Sequence, residues 1–367
     1  MDSSNATTFA CTLNNSIELS PSFFWTESEK LIILVIMPLI TIIGNAGNLA
    51  FLFTIFRVPR MRTVANAYLA TVAVVDINFV SVVCITYGLA YLASPDIRAN
   101  PQRGVAGCLL VYFQSFSCYF MSMVVITLLS LERYYAICYP IKHRLFAHRS
   151  RTIKQLTISI LIGMVCGAVS TIKWGDYNII KFCVKPVNDG PVFEPYPLII
   201  HTCQLRNGRA LASLLSEALV TIVFLLAFFI SSFMYAKVLK TLRQRSQSNL
   251  KSSTSIDKVH RQVSQMIIVN GIVFFTCQIP YRLYAIHDIL ADTFQVWSLP
   301  AHQRASLLIV GRIFLYFNSA INPYIYVVGS TFYRKAFMEA FGLCTSSKKT
   351  SNSSSSGGSN IISISGK

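Results

Sequence analysis

Asn322-Pro323-Tyr324-Ile325-Tyr326 closes the seventh and last long apolar run of this chain, and Glu132-Arg133-Tyr134 closes the third. Each motif alone is a weak signal. At the same end of two membrane-length segments, they point to a bundle that switches by moving its helices. Pro323 removes one helical hydrogen bond and kinks the helix, which makes a pivot. Arg133 stays charged and offers five donors, so it can exchange partners between two states.

Outward from these motifs, the 367 residues are 53% hydrophobic and only 13% charged, where soluble domains run to about a quarter charged. A helical span needs roughly 20 apolar residues. Seven stretches qualify, approximately 31–56, 66–93, 105–131, 153–172, 211–236, 263–290 and 305–329. The expected fold is an all-α membrane protein, a seven-transmembrane helix bundle with a short amphipathic helix after the seventh span. Residues 1–30 are read as an extracellular tail, 31–330 as the bundle, 331–344 as the amphipathic membrane-surface helix and 345–367 as a disordered Ser-rich cytoplasmic tail.

The net charge of +17 could suggest nucleic acid, but its distribution argues against that. Arg57, Arg60 and Arg62 follow the first span, Lys142, Arg144, Arg149 and Arg151 follow the third, and Lys237 to Arg261 fill the link between the fifth and sixth. The first 29 residues hold no Lys or Arg. Basic loops face the cytoplasm, so the N-terminus is expected outside. Residues 1–29 are polar and the first apolar run is a full span, so no cleavable signal peptide is expected. Asn5 and Asn14 then become glycosylation sites.

The ten cysteines show no metal-ligand spacing. Cys108 opens the third span and Cys203 lies late in the loop before the fifth; a bridge between them would pin that loop over the mouth of the bundle. Cys183 is the rival partner, and Cys11 is left over. Within the loop, Asp189-Gly190 between Phe182-Cys183-Val184 and Val192-Phe193 reads as a hairpin turn. After the seventh span, Tyr333, Phe337 and Phe341 recur every four residues, an aromatic stripe for a helix lying along the inner membrane surface. Cys344 ends it, as a palmitoylation site or a free thiol.

An ionisable group within a span costs several kcal/mol and usually has a partner or a function. Asp76 is the only charge of the second span. Asn48, Ser122, Asn318, Ser319 and Asn322 are its expected companions. One carboxylate among neutral oxygens suits a small hard cation with waters, for which sodium is the choice; a hydrated hydrogen-bond network is the alternative. Nearer the outer end lie Arg282, Arg312 and Glu217, among Tyr87, Tyr91, Tyr112, Phe116, Tyr281, Tyr284 and Tyr316. A cationic, aromatic cavity suits a peptide carrying a carboxylate or terminal amide. Arg312 is the favoured ligand contact; Glu217 is read as an internal partner of an arginine.

Gly44-Asn45-Ala46-Gly47-Asn48, Asp76, Cys108, Glu132-Arg133-Tyr134, Pro280 and Asn322-Pro323-Tyr324-Ile325-Tyr326 fall in the order and spacing of one family. Over residues 30–344 the chain resembles rhodopsin-like G-protein-coupled receptors. Segments 312–323 and 277–282 look like thyrotropin-releasing-hormone receptors and their neuropeptide relatives. The resemblance implies a plasma-membrane receptor, not an enzyme and without a cofactor beyond an allosteric sodium ion. Its ligand would be an extracellular peptide, its partners a heterotrimeric G protein, arrestin after tail phosphorylation, and membrane lipid. Arg133 would leave Glu132 to meet Tyr235, Tyr326 and the G protein as the sixth helix swings outward about Pro280. Departures exist: Gln278 replaces the Trp before Pro280, Ala227 the mid-span proline of the fifth helix, and His260 an acid that locks Arg133 in some relatives. Phe116 and Phe120 argue against the thyrotropin-releasing-hormone tripeptide itself.

An ion or proton transporter using Asp76 and the buried arginines is the alternative, but paired broken helices and repeats are missing. Retinal is excluded by a seventh span without Lys, and an amine ligand by Ser115 where an Asp would sit.

Overall fold

The computed structural model describes residues 25–95, 104–146, 148–172, 176–181, 199–204, 210–248, 255–294 and 299–343. Asn5, Asn14, Cys11, Cys183, Cys344 and the tail 345–367 lie outside them, as does the side chain of His260. Seven long helices account for most of the described residues: α1 (Glu27–Arg57), α2 (Val64–Ala93), α3 (Gly104–Cys138), α4 (Arg149–Thr171), α5 (Ala210–Ser248), α6 (Ser255–Phe294) and α7 (Ala301–Gly329). A short helix, Pro140–Phe146, follows α3, and α8 (Thr331–Ala340) follows α7.

Local chemistry sets the helix ends. Thr26 and Glu29 form a reciprocal capping box at the start of α1, and the Thr63 hydroxyl accepts from the Asn66 amide at the start of α2, each satisfying backbone donors that the first turn leaves unpaired. Within α1, a π-helical turn at Ile32–Ile36 runs directly into Pro38, whose missing N–H breaks the regular ladder there. Pro280 and Pro323 are carried inside α6 and α7.

Six of the helices, α1 to α6, are long and apolar enough to cross a membrane. The average of α7 is lowered by Arg312, Asn318, Ser319, Asn322 and Pro323, of which Asn318, Ser319 and Asn322 are buried against other helices. Apolar side chains on the opposite stripes, such as Ile42, Phe56, Val165, Phe229 and Val328, are exposed, the arrangement expected where lipid is the solvent.

Small residues bring the helices together. A Cβ at Gly167 would lie 2.2 Å from Ser117 Oγ and 2.9 Å from its backbone nitrogen, and one at Gly163 2.4 Å from Met121, so α3 and α4 pack nearly backbone to backbone. Gly311 meets the Tyr281 backbone in the same way on α7 and α6.

The loop before α5 contains two strands, β1 (Asp176–Lys181) and β2 (Ile199–Gln204), paired antiparallel with Asp176 opposite Gln204 and Lys181 opposite Ile199. The expected turn at Asp189-Gly190 and its flanks at 182–184 and 192–193 lie outside the described residues. One expectation is corrected: the stripe on α8 divides. Tyr333 is fully buried against Phe51 and Tyr326, at ring separations of 6.2 and 5.9 Å, while Phe341 is exposed. Tyr333 therefore anchors α8 to the bundle. Ser330, extended at φ −144°, separates α7 from α8, so α8 is not a continuation of the seventh span.

Candidate functional site

At the hairpin end, Cys203 of β2 is disulfide-bonded to Cys108 in the first turns of α3, with Cα atoms 5.7 Å apart. The strand pair is thereby fixed beside the mouth of the bundle. Below it, Arg282 of α6 is 5% exposed, and its guanidinium stacks over Tyr119 of α3 at 5.1 Å and Tyr281 at 5.0 Å. Its Nη1 lies 4.0 Å from Glu217 Oε2 of α5. That is an ion pair without a hydrogen bond, and Nε and Nη1 of Arg282 have no hydrogen-bond partner among the described residues.

Arg312 of α7 lies over the Tyr87 ring of α2 at 5.5 Å, with Tyr112, Tyr281 and Tyr316 close enough to feel its charge. Tyr316 packs on Phe79 at 6.0 Å. A narrow cleft opens beside Arg312, bounded by Trp25, Glu29, Met37, Tyr87 and Tyr316. The Trp25 indole donates to the Ser94 carbonyl at 3.1 Å, which closes α1 onto the end of α2. Phe116 is half-buried on α3, one turn from Tyr112.

At mid-depth, Asp76 is 3% exposed and accepts from Asn322 Nδ2 at 2.7 Å, and the Ser319 hydroxyl faces the same carboxylate. Asn48 turns its amide elsewhere, donating to the carbonyls of Gly44 and Ser319, both at 3.0 Å. The side-chain oxygens Asn318 Oδ1 and Asn322 Oδ1 are buried without a hydrogen-bond partner among the described residues. Ser122, on α3, is buried too. A carboxylate beside unsatisfied neutral oxygens fits a monovalent or hydrated cation by donor chemistry; among the described residues no group of three His, Cys, Asp or Glu could hold a metal ion.

At the opposite end, Arg133 is 7% exposed and its Nε is ion-paired with Glu132. His143, on the short helix after α3, approaches the other carboxylate oxygen at 3.1 Å. The sequence did not single it out, because the pair exists only once the chain turns at Tyr139. The Ser130 hydroxyl donates to the Tyr235 phenol at 2.6 Å, and that ring fills the space left by Gly271, where a Cβ would come within 2.1 Å of it. Tyr326 is buried against Phe51 at 4.9 Å with its hydroxyl unpartnered among the described residues. Tyr134 packs on Tyr139 at the rim. Met123, Phe274 and Tyr326 share one apolar cluster joining the Asp76 region to Arg133, and Gln278 is buried above it.

These three sites, at three depths of one bundle, coincide with a family pattern. Residues 47–326 match the model of the 7 transmembrane receptor (rhodopsin family). The chain belongs to this family. As a rhodopsin-family receptor it is a G-protein-coupled receptor and a multi-pass membrane protein. It is 26% identical to neuromedin-U receptor 1 of Rattus norvegicus over 332 residues, 84% of this chain and 72% of the relative. The thyrotropin-releasing hormone receptor of Mus musculus is 27% identical over 360 residues, covering 91% and 84%. Growth hormone secretagogue receptor type 1 of Oryctolagus cuniculus is 26% identical over 320 residues, covering 82% and 78%.

Proposed function

We propose that this receptor binds an extracellular peptide at its hairpin end and activates a heterotrimeric G protein at the Arg133 end. The observation that supports it best is the pair of guanidiniums, Arg282 and Arg312, each stacked on tyrosine rings, with Glu217 4.0 Å from Arg282. Buried guanidinium nitrogens without acceptors are costly, and a ligand carboxylate or amide carbonyl would supply them. Tyr112, Phe116, Tyr281 and Tyr316 then line the ligand. The relatives' names, neuromedin U, thyrotropin-releasing hormone and growth hormone secretagogue, favour a neuropeptide.

The N-terminus and hairpin face outward and the basic loops inward. Asp76, Ser122, Asn318, Ser319 and Asn322 would hold a sodium ion, which neutralises the buried carboxylate and favours the resting packing. Activation moves α6 outward about Pro280. Arg133 then leaves Glu132, and Tyr235 and the unpaired Tyr326 phenol become its neighbours in the cleft that opens. Pro323 gives α7 the flexibility to follow. Phosphorylation of the Ser-rich tail recruits arrestin, and α8, with Cys344 palmitoylated, rests on the inner leaflet. Cells expressing the chain, challenged with a neuropeptide library and read for calcium and cyclic AMP, test this directly. Saturable responses to a peptide support it, and silence across the library in cells with confirmed surface receptor counts against it.

A further inference from the structure

Asn78 is the fifteenth residue of the thirty in α2, which puts it about 21 Å from either end of the helix, at the middle of the span. It is exposed. The exposed positions around it, Val74, Ile85, Leu89 and Leu92, recur at intervals of three, four or seven residues and form one apolar stripe. An aqueous cavity would not be lined so uniformly, so this stripe faces lipid.

On the neighbouring helix, Leu110 is exposed and Gln114, four residues on along the same face, is half-buried at its edge. Gln114 Nε2 donates to Asn78 Oδ1 at 2.5 Å, and Cys118 Sγ approaches the same oxygen at 3.9 Å. Gln114 Oε1 accepts from Ser115 Oγ at 3.3 Å. This leaves an Asn78 amide donor without a partner among the described residues and one lone pair on Gln114 Oε1. Asn78 sits on the lipid-facing stripe and the half-buried Gln114 borders it. In hydrocarbon an unsatisfied amide costs far more than in water.

We propose that this amide pair is the centre of a contact between two copies of the receptor. Copies inserted in the same sense can be related by a two-fold axis along the membrane normal, which brings each residue opposite residues at its own depth. The donor left over on Asn78 of one copy then meets the acceptor left over on Gln114 of the second, and the reverse bond forms by symmetry. The surface complements itself twice. A sterol hydroxyl fits less well, since it is held at headgroup depth and Asn78 lies at mid-span. The flanking Val74, Ile85 and Leu89 supply packing on either side of the polar centre.

The test uses the full-length receptor, labelled at its C-terminus with donor or acceptor fluorophores and expressed at graded surface density. Energy transfer above that of a monomeric membrane control at equal density is expected for the wild type. Asn78→Leu, and separately Gln114→Leu, should weaken self-association about tenfold at matched surface expression, from the loss of two interhelical hydrogen bonds. Asn78→Gln keeps the amide and should retain association, which separates a polar contact from a folding defect. Wild-type transfer at the monomer level at every density, or unchanged transfer in Asn78→Leu, overturns the proposal. Loss of wild-type transfer on sterol extraction would assign the amide to a lipid and overturn it as well.

Discussion

At the scale of single residues, the receptor is organised by guanidiniums whose surroundings differ. Arg133 has a carboxylate in contact, Arg282 has one at 4.0 Å, and Arg312 lies over the Tyr87 ring with no carboxylate in contact among the described residues. A cation stacked on an aromatic face gains about 1–2 kcal/mol when desolvated, which leaves its hydrogen-bonding capacity unspent. Arg312→Ala is therefore expected to reduce agonist potency roughly 30-fold or more with surface expression intact; a wild-type dose–response curve would remove Arg312 from the binding site. His143 gives a second prediction. It holds the Glu132 oxygen that Arg133 does not, steadying the carboxylate that restrains Arg133. His143→Ala should raise ligand-independent guanine-nucleotide exchange about fivefold, the value of one hydrogen bond near 1 kcal/mol, measured in membranes without agonist. Basal exchange at or below wild type would show that His143 does not contribute to restraint.

At the scale of elements, close packing decides what moves together. Because Ser117 occupies the space where a larger residue at Gly167 would go, Gly167→Leu must push α4 off α3. A loss of about 1–3 kcal/mol is expected, read as a lower thermal unfolding midpoint of the purified receptor; an unchanged midpoint would show that α4 can shift freely. Tyr333 anchors α8 through its ring and through a hydrogen bond from its hydroxyl to Asn66 Oδ1, whose own amide donates to Met61 at 2.6 Å. Burial pushes the Tyr333 phenol up from its ordinary range, so it remains a donor at any physiological pH. Tyr333→Phe keeps the packing and removes the bond, at a cost of about 1 kcal/mol, visible as faster amide hydrogen exchange in α8; protection equal to wild type would show that the ring alone holds it. The sequence announced the helix after α7 through its four-residue aromatic spacing. It could not announce that Tyr333 points into the bundle, because the same spacing suits a membrane face and a core face alike. The hairpin strands were hidden for a related reason. The Asp189-Gly190 turn signal is local, whereas Asp176 pairs with the distant Gln204, beside the Cys203 bridge to α3.

At the scale of the molecule, seven apolar runs and two end motifs were enough to fix the bundle, since a membrane admits few other arrangements of such segments. Asp76 was legible as a centre for the same reason: a lone carboxylate in hydrocarbon has to be answered, and Asn322 and Ser319 answer it. That Asn48 is turned toward backbone carbonyls instead was not legible, because it depends on how α1 and α7 meet at Gly44 and Ala320. Asp76→Asn should abolish any sodium dependence of agonist affinity, assayed by competition binding with sodium or a bulky organic cation as the salt; sodium dependence that survives would mean the ion acts elsewhere.

The Thr331 hydroxyl, at the junction before α8, donates to Gln262 Oε1 of α6 at 2.7 Å. Gln262 is eighteen residues below Pro280, a lever arm of about 27 Å. An added bend of about 20° at that proline, an angle ordinary for such kinks, would sweep the tip through about 9 Å. A single bond between two short side chains cannot stretch that far. It is either fully made or fully lost, so in the proposed activation this clasp would give the motion of α6 a threshold, and the receptor a sharper boundary between off and on than a gradual bend would allow.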